Sequence, residues 1–167
     1  MTAYRRSGAE ALDRLRPLWL ELHHHHQAVG GQALGPYVTD DESWAARREL
    51  YTGFLAAGGF AILAEDGGEL LGYALVAIKT AADTEFEDTW RSGPRVAEIE
   101  TLSVAPAARG RGIGSALLDR IDEELEAEGI EDVAIAAFVT NLDAIRLYER
   151  RGFRPASLHL IRLAGRT

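Results

Sequence analysis

The stretch from Val96 to Glu128 constrains this chain more than any other. A run of strand-forming residues ends at Val104, Pro106 stops the ladder, and Arg109 to Gly114 packs three glycines and two arginines into six positions. Beyond the turn Ile113, Leu117, Leu118, Ile121 and Leu125 recur at helical spacing, with Asp119, Asp122, Glu123, Glu124, Glu126 and Glu128 mostly opposite them. The order is strand, glycine-rich turn, helix.

Such a turn suits an anion. Gly110, Gly112 and Gly114 lack a Cβ, so the backbone can curl and a ligand can approach its N–H groups closely. Those groups open a helix, where unpaired donors and the macrodipole both favour negative charge. Arg109 and Arg111 add charge-assisted donors for a phosphate or pyrophosphate. Val104 to Ser115 contains no Asp or Glu, although the chain carries a net charge of -8. Spacing then excludes two common phosphate loops. The Gly-x-x-x-x-Gly-Lys-Ser/Thr loop has no lysine here, and Gly-x-Gly-x-x-Gly fails because Ser115 stands at its last position.

Arg109-x-x-Gly112-x-Gly114, entered from Leu102-Ser103-Val104-Ala105-Pro106, closely resembles the acetyl-CoA pyrophosphate loop of the GCN5-related N-acetyltransferase (GNAT) superfamily. Asn141-x-x-Ala144-x-x-x-Tyr148-x-x-x-Gly152-Phe153 resembles the second motif of that family. The resemblance implies acetyl-CoA as cosubstrate, held by Arg109, Gly110, Arg111, Gly112, Ile113, Gly114 and Ser115 at the pyrophosphate. It also implies that Leu102, Ser103 and Val104 offer backbone groups to the pantetheine amides, that Asn141 and Ala144 lie along the pantetheine arm, and that Tyr148 meets the sulfur. The fold it implies is α/β (α+β), a mixed, mostly antiparallel central sheet with helices on both faces.

The strand before the loop carries an oddity. Val96, Glu98, Glu100, Leu102 and Val104 share one parity, which predicts two carboxylates on an otherwise apolar face. A buried carboxylate has a raised pKa and becomes a competent base near neutrality. Transfer to an amine requires one, because a protonated amine has no lone pair. The resemblance puts a base at Glu98 or Glu100, with Tyr148 as acid; the alternative for the carboxylates is exposure to solvent or pairing with Arg91 or Arg95.

The rest of the chain fits one domain over residues 1–167: 47% hydrophobic content suffices for one core, and the length is short for two. No apolar run nears 18 residues and no signal peptide is visible, so a cytoplasmic protein without membrane contact is expected. Zero cysteines exclude a thiol nucleophile and Cys-ligated metals. Net acidity argues against nucleic acid and suits a small-molecule or peptide amine as acceptor. A homodimer remains open.

In order, Thr2 to Arg6 is an edge strand, Ser7 to Glu10 a capping box, and a helix follows in which Pro17 either makes a kink or opens a second helix. His23 to His26 precede the stop at Gly30-Gly31. Consecutive helical residues fan out at about 100° each, so two of the four at most share a face, and a metal site would need a further ligand. His25 and His26 are candidates for the acceptor pocket. Asp40 or Asp41 caps a second helix carrying Trp44 and Tyr51, which, with Trp90 from the acidic loop Thr80 to Pro94, complete the acceptor candidates. Asp66-Gly67-Gly68 marks a hairpin, Gly72 a bulge or close approach, Asp132 to Phe138 a strand, Leu142 to Arg150 a helix capped by Thr140 or Asn141, and Leu158 to Leu163 a final strand. Two other functions stay open: an acyl-CoA-binding module without catalysis, and a metal-binding protein built on the histidine run.

Overall fold

The computed structural model describes residues 1–30, 34–84 and 88–164. Five strands form one sheet in sequence order: β1 (Ala3–Ser7), β2 (Phe60–Asp66), β3 (Glu69–Thr80), β4 (Arg95–Val104) and β5 (Asp132–Ile135). All neighbours are antiparallel except β4 and β5, which run parallel. Among the described residues four α-helices accompany them: α1 (Leu12–Gly30), α2 (Asp40–Ala56), α3 (Ile113–Glu128) and α4 (Leu142–Arg150).

Alternation along the strands divides the core into two layers. Phe60, Ile62, Ala74, Val76, Ala97 and Ile99 face α3, whose Ile113, Leu117, Leu118, Ile121 and Leu125 are each 3% exposed or less. Ala61, Leu63, Tyr73 and Leu75 face α1 and α2, meeting Leu15, Leu18, Trp19 and Tyr51. Each fully buried aliphatic side chain contributes roughly 1.5–3 kcal/mol of transfer free energy, so both helical layers are held on by their apolar stripes.

Several expectations are corrected. α1 runs unbroken through Pro17, preceded by a 3₁₀ turn at Ala9–Ala11. Ser7 does not cap that turn; its hydroxyl bonds to Glu10, and Glu10 also accepts from the Gly8 N–H at 2.9 Å. Neither Asp40 nor Asp41 caps α2. Thr39 does so in a reciprocal box with Glu42, whose backbone N–H donates to the threonine while its carboxylate accepts from the Thr39 N–H. β5 stops at Ile135 rather than Phe138, and Leu158 to Leu163 forms no strand and is exposed. Gly31, Glu85 and Glu87 lie outside the described residues.

Gly72 sits opposite an irregularity in the β2–β3 register at Ala64/Glu65. A Cβ there would stand 2.9 Å from the Ser103 carbonyl oxygen and 3.3 Å from Ile113, so the close approach of β4 and α3 at this point requires glycine.

Candidate active site

Only Val96 to Ile99 pair with β5, in register with Asp132 to Ile135. β4 continues to Val104 with β3 on one side and a widening gap on the other. The Ala105 N–H donates to Leu71 O at 2.8 Å on the β3 side. Successive backbone groups alternate, so those of Leu102 and Val104 turn toward the gap, and those of Ser103 toward β3. The Ser103 side chain is buried, its hydroxyl donating to Leu18 O of α1 at 2.9 Å.

That gap widens into a cavity of about 620 Å³. One wall is the loop and first turn of α3: Arg109, Gly110, Gly112, Ile113, Gly114 and Ser115. Gly112 is the N-cap at φ 79°, a left-handed conformation that favours glycine, and no side chain caps the helix. Among the described residues the first N–H groups of α3 therefore have neither intrahelical nor side-chain partners, which fits an anion such as a pyrophosphate. Arg109 donates from Nε to Val104 O at 3.3 Å, fixing its stem and leaving its terminal nitrogens exposed. Arg111 does not line the cavity.

The opposite walls come from β4, α1 and α4. Glu100, Thr101, Leu102, Ser103 and Val104 line the cavity from β4, Leu22, His25 and His26 from α1, and Asn141, Ala144 and Tyr148 from α4. The Asn141 side chain is committed to capping α4, accepting from Ala144 N–H at 3.4 Å. Tyr148 packs edge-on against Phe153 with ring centroids 6.0 Å apart, and burial pushes its phenol up to about 12. It stays protonated across the working pH range.

The two carboxylates differ. A register shift between Leu75 and Val76 leaves Glu100 as an extra residue in β4, so Glu98 and Glu100 face α2 while Leu102 and Val104 face α3. This bulge overturns the single parity expected for the whole strand. Glu98 pairs with Lys79 and does not line the cavity. Glu100 does line it, with Lys79 Nζ at 3.5 Å from Oε1 and Arg47 Nη1 at 3.8 Å from Oε2. Burial raises the Glu100 pKa above the ordinary value and the neighbouring Glu98 charge adds to this, while Lys79 and Arg47 oppose it. Of the expected partners, Arg95 bonds instead to Glu128.

Of the acceptor-side candidates, His25 and His26 reach the cavity; Trp44, Tyr51 and Trp90 do not. Trp44 and Tyr51 are core residues, Tyr51 being fully buried with its hydroxyl bonded to those of Tyr73 and Thr101. His26 lies 5.0 Å from the Phe138 ring, and burial, helped by the charges of His25, Arg47 and His23, lowers its pKa to about 4. It is a neutral imidazole at pH 7. His23 bonds to Gln27 and Val38 O, and His24 to Asp40. Among the described residues no group of three His, Asp or Glu is placed to hold a metal ion, and no helix is long and apolar enough to cross a membrane. Thr101, Phe138 and Arg47 were not legible as site residues. Leu22 was discoverable, lying three and four positions before His25 and His26 on the same helix face.

A model of the acetyltransferase (GNAT) family matches residues 19–153, which include the α3 loop and the α4 motif. The chain belongs to this family. Among similar proteins, a mycothiol acetyltransferase of Beutenbergia cavernae is 42% identical over 72 residues, 42% of this chain and 24% of that protein. Another, from Geodermatophilus obscurus, is 35% identical over 116 residues, 66% of this chain and 34% of that protein. The chain thus matches only a quarter to a third of the length of these curated relatives. Among solved structures, a GCN5-related N-acetyltransferase of Ralstonia eutropha covers 99% of the chain and 100% of its own, with TM-score 0.71 and 23% identity. An aminoglycoside N-acetyltransferase solved with CoA covers 98% and 95%, with TM-score 0.70 and 19% identity. These likenesses show the GNAT fold.

Proposed function

We propose that the chain is an acetyl-CoA-dependent N-acetyltransferase that moves an acetyl group directly to an amine of a small molecule or peptide. One observation carries this reading: a single cavity is lined by an uncapped helix N-terminus with Arg109, the free edge of β4, the Tyr148 phenol and the Glu100 carboxylate. The membership in an acetyltransferase family supports it, as does the crystallisation of the aminoglycoside N-acetyltransferase of the same fold with CoA.

In this reading the pyrophosphate rests on the first amides of α3 and on Arg109, and the pantetheine arm adds along Leu102 and Val104 in the manner of a strand. Glu100, directly or through water, takes a proton from the acceptor ammonium and frees its lone pair. The nitrogen attacks the thioester carbonyl, and the Val104 N–H, turned into the gap, stabilises the oxyanion. As the tetrahedral intermediate collapses, the C–S bond breaks and the amine nitrogen loses its second proton to solvent, or to Glu100 once that carboxyl has passed its first proton to solvent. The sulfur leaves as a thiolate of pKa about 8.5, which the Tyr148 phenol stabilises by hydrogen bonding. A phenol near 12 holds its proton more tightly than the thiol, so the CoA thiol is completed from solvent. With both substrates held in one cavity, proximity supplies much of the acceleration. Glu100 is the base rather than Glu98, because only Glu100 reaches the cavity.

The test is thiol release from acetyl-CoA over a panel of amines, covering α-amines of amino acids and dipeptides, aminosugars, an aminoglycoside and a polyamine. Turnover on a panel member that falls at least a hundredfold in Glu100→Gln and little in Glu98→Gln supports the assignment. Tight acetyl-CoA binding without turnover would favour a binding module, and no binding would sink the reading of the α3 loop.

A further inference from the structure

Glu100 is held from two sides. Arg47 of α2 approaches Oε2 and Lys79 of β3 approaches Oε1, so each oxygen has its own cation. Arg47 is itself fixed: its guanidinium carbon lies 4.1 Å above the Trp19 ring and 5.6 Å from the Tyr51 ring. Trp19 is 5% exposed and anchored by its indole N–H donating to the Ser43 hydroxyl at 3.0 Å, while Tyr51 is tied to Tyr73 and Thr101. A guanidinium stacked on a buried, hydrogen-bonded ring is held in one plane, which a flexible surface arginine is not.

We propose that Arg47 is a positioning residue for the acetyl transfer: stacked on Trp19 and opposed by Lys79, it aims the Glu100 carboxylate into the cavity. Arg47 does not line the cavity, so it acts through Glu100. The proposal rests on the transferase reading given above.

The clamp also sets how readily Glu100 releases its proton. The groups around it are Arg47 and Tyr51 from α2, Lys79 from β3, Glu98 from its own strand, and His25 and His26 from the α1 wall of the same cavity. Burial and Glu98 favour the protonated carboxyl, and the two cations favour the carboxylate. Removing Arg47 tips this balance toward the proton, so the base form is lost at a higher pH. Lys79 alone cannot compensate, because it is shared with Glu98.

Arg47→Met retains an apolar stem over Trp19 without the charge, and Arg47→Lys restores charge without the planar stack. Two measurements are made on each folded variant and on the wild type: a carbon-13 NMR titration of the Glu100 side-chain carboxyl, and the pH profile of turnover. In Arg47→Met the Glu100 titration and the acid limb of the profile are expected to move upward together. Its kcat falls about tenfold with KM for acetyl-CoA unchanged, as for a misplaced rather than absent base. Arg47→Lys is expected to restore the titration more fully than kcat. An unshifted Glu100 titration in Arg47→Met overturns the proposal. Should that variant not fold, Arg47→Lys and Trp19→Leu carry the test, and wild-type kcat in both overturns it. If the wild type acetylates no amine, the transferase reading fails separately, and the titration still decides whether the clamp exists.

Discussion

At Tyr148 the consequence of burial is chemical. A phenol raised to about 12 donates a hydrogen bond without giving up its proton, so Tyr148→Phe should lower kcat by roughly ten- to a hundredfold while leaving KM for acetyl-CoA within about twofold. Steady-state kinetics on a panel acceptor checks this, and an unchanged kcat would remove the phenol from the mechanism. At His26 the consequence is for stability. The unfolded chain takes up a proton at this imidazole below about 6.5, whereas the folded ring, desolvated against Phe138, stays neutral down to about 4. Its contribution is complete above pH 6.5 and is lost as pH falls toward 4. His26→Phe keeps an aromatic ring beside Phe138 and should flatten the fall of Tm between pH 6.5 and 4. A variant with the wild-type slope would place the titration elsewhere. Neither value could be read from sequence, because each depends on what the chain folds around the group.

Among the elements, those with a local cause were the legible ones. The apolar stripe of α3, the Asp66 to Gly68 hairpin and the α4 boundaries follow from spacing and turn chemistry, and the structure bears them out; of the two caps offered for α4, Thr140 and Asn141, it takes Asn141. The α2 cap was misread because Asp40 and Asp41 are both good capping residues; the winner was Thr39, which has a glutamate three positions on. Thr39→Ala should therefore cost about 1 kcal/mol in urea unfolding, and Asp40→Ala clearly less. The bulge at Glu100 was invisible because it arises between strands, from a register shift against Leu75 and Val76 that no single strand records. It puts Glu98 and Glu100 on the face opposite Leu102 and Val104. Of the two outcomes offered at Pro17, a kink or a second helix, the second helix does not form: Leu15, Leu18 and Trp19 bury on either side of the proline within one helix.

For the molecule as a whole, the sheet order and the two-layer core require only β1 to β5 and the four helices. Leu158, Leu160, Ile161 and Leu163 are each more than half exposed, so their strand-like composition found no partner in the fold. Ending the chain after Ala156 should shift Tm by no more than about 2 °C in a thermal scan. A larger drop would mean that this segment packs on the domain in solution. The site's charges have a different reach. Arg109, Arg146 and Arg150 line the cavity, Arg146 paired with Asp143, while the chain as a whole carries -8. An anionic donor such as acetyl-CoA is therefore repelled by the whole protein at long range and attracted by the arginines at contact. The Debye length is about 10 Å at 0.1 M salt, so moderate salt screens the distant repulsion before it weakens the contacts. The rate of acetyl-CoA capture should then pass through a maximum as ionic strength rises, where a uniformly basic enzyme would show a steady decline.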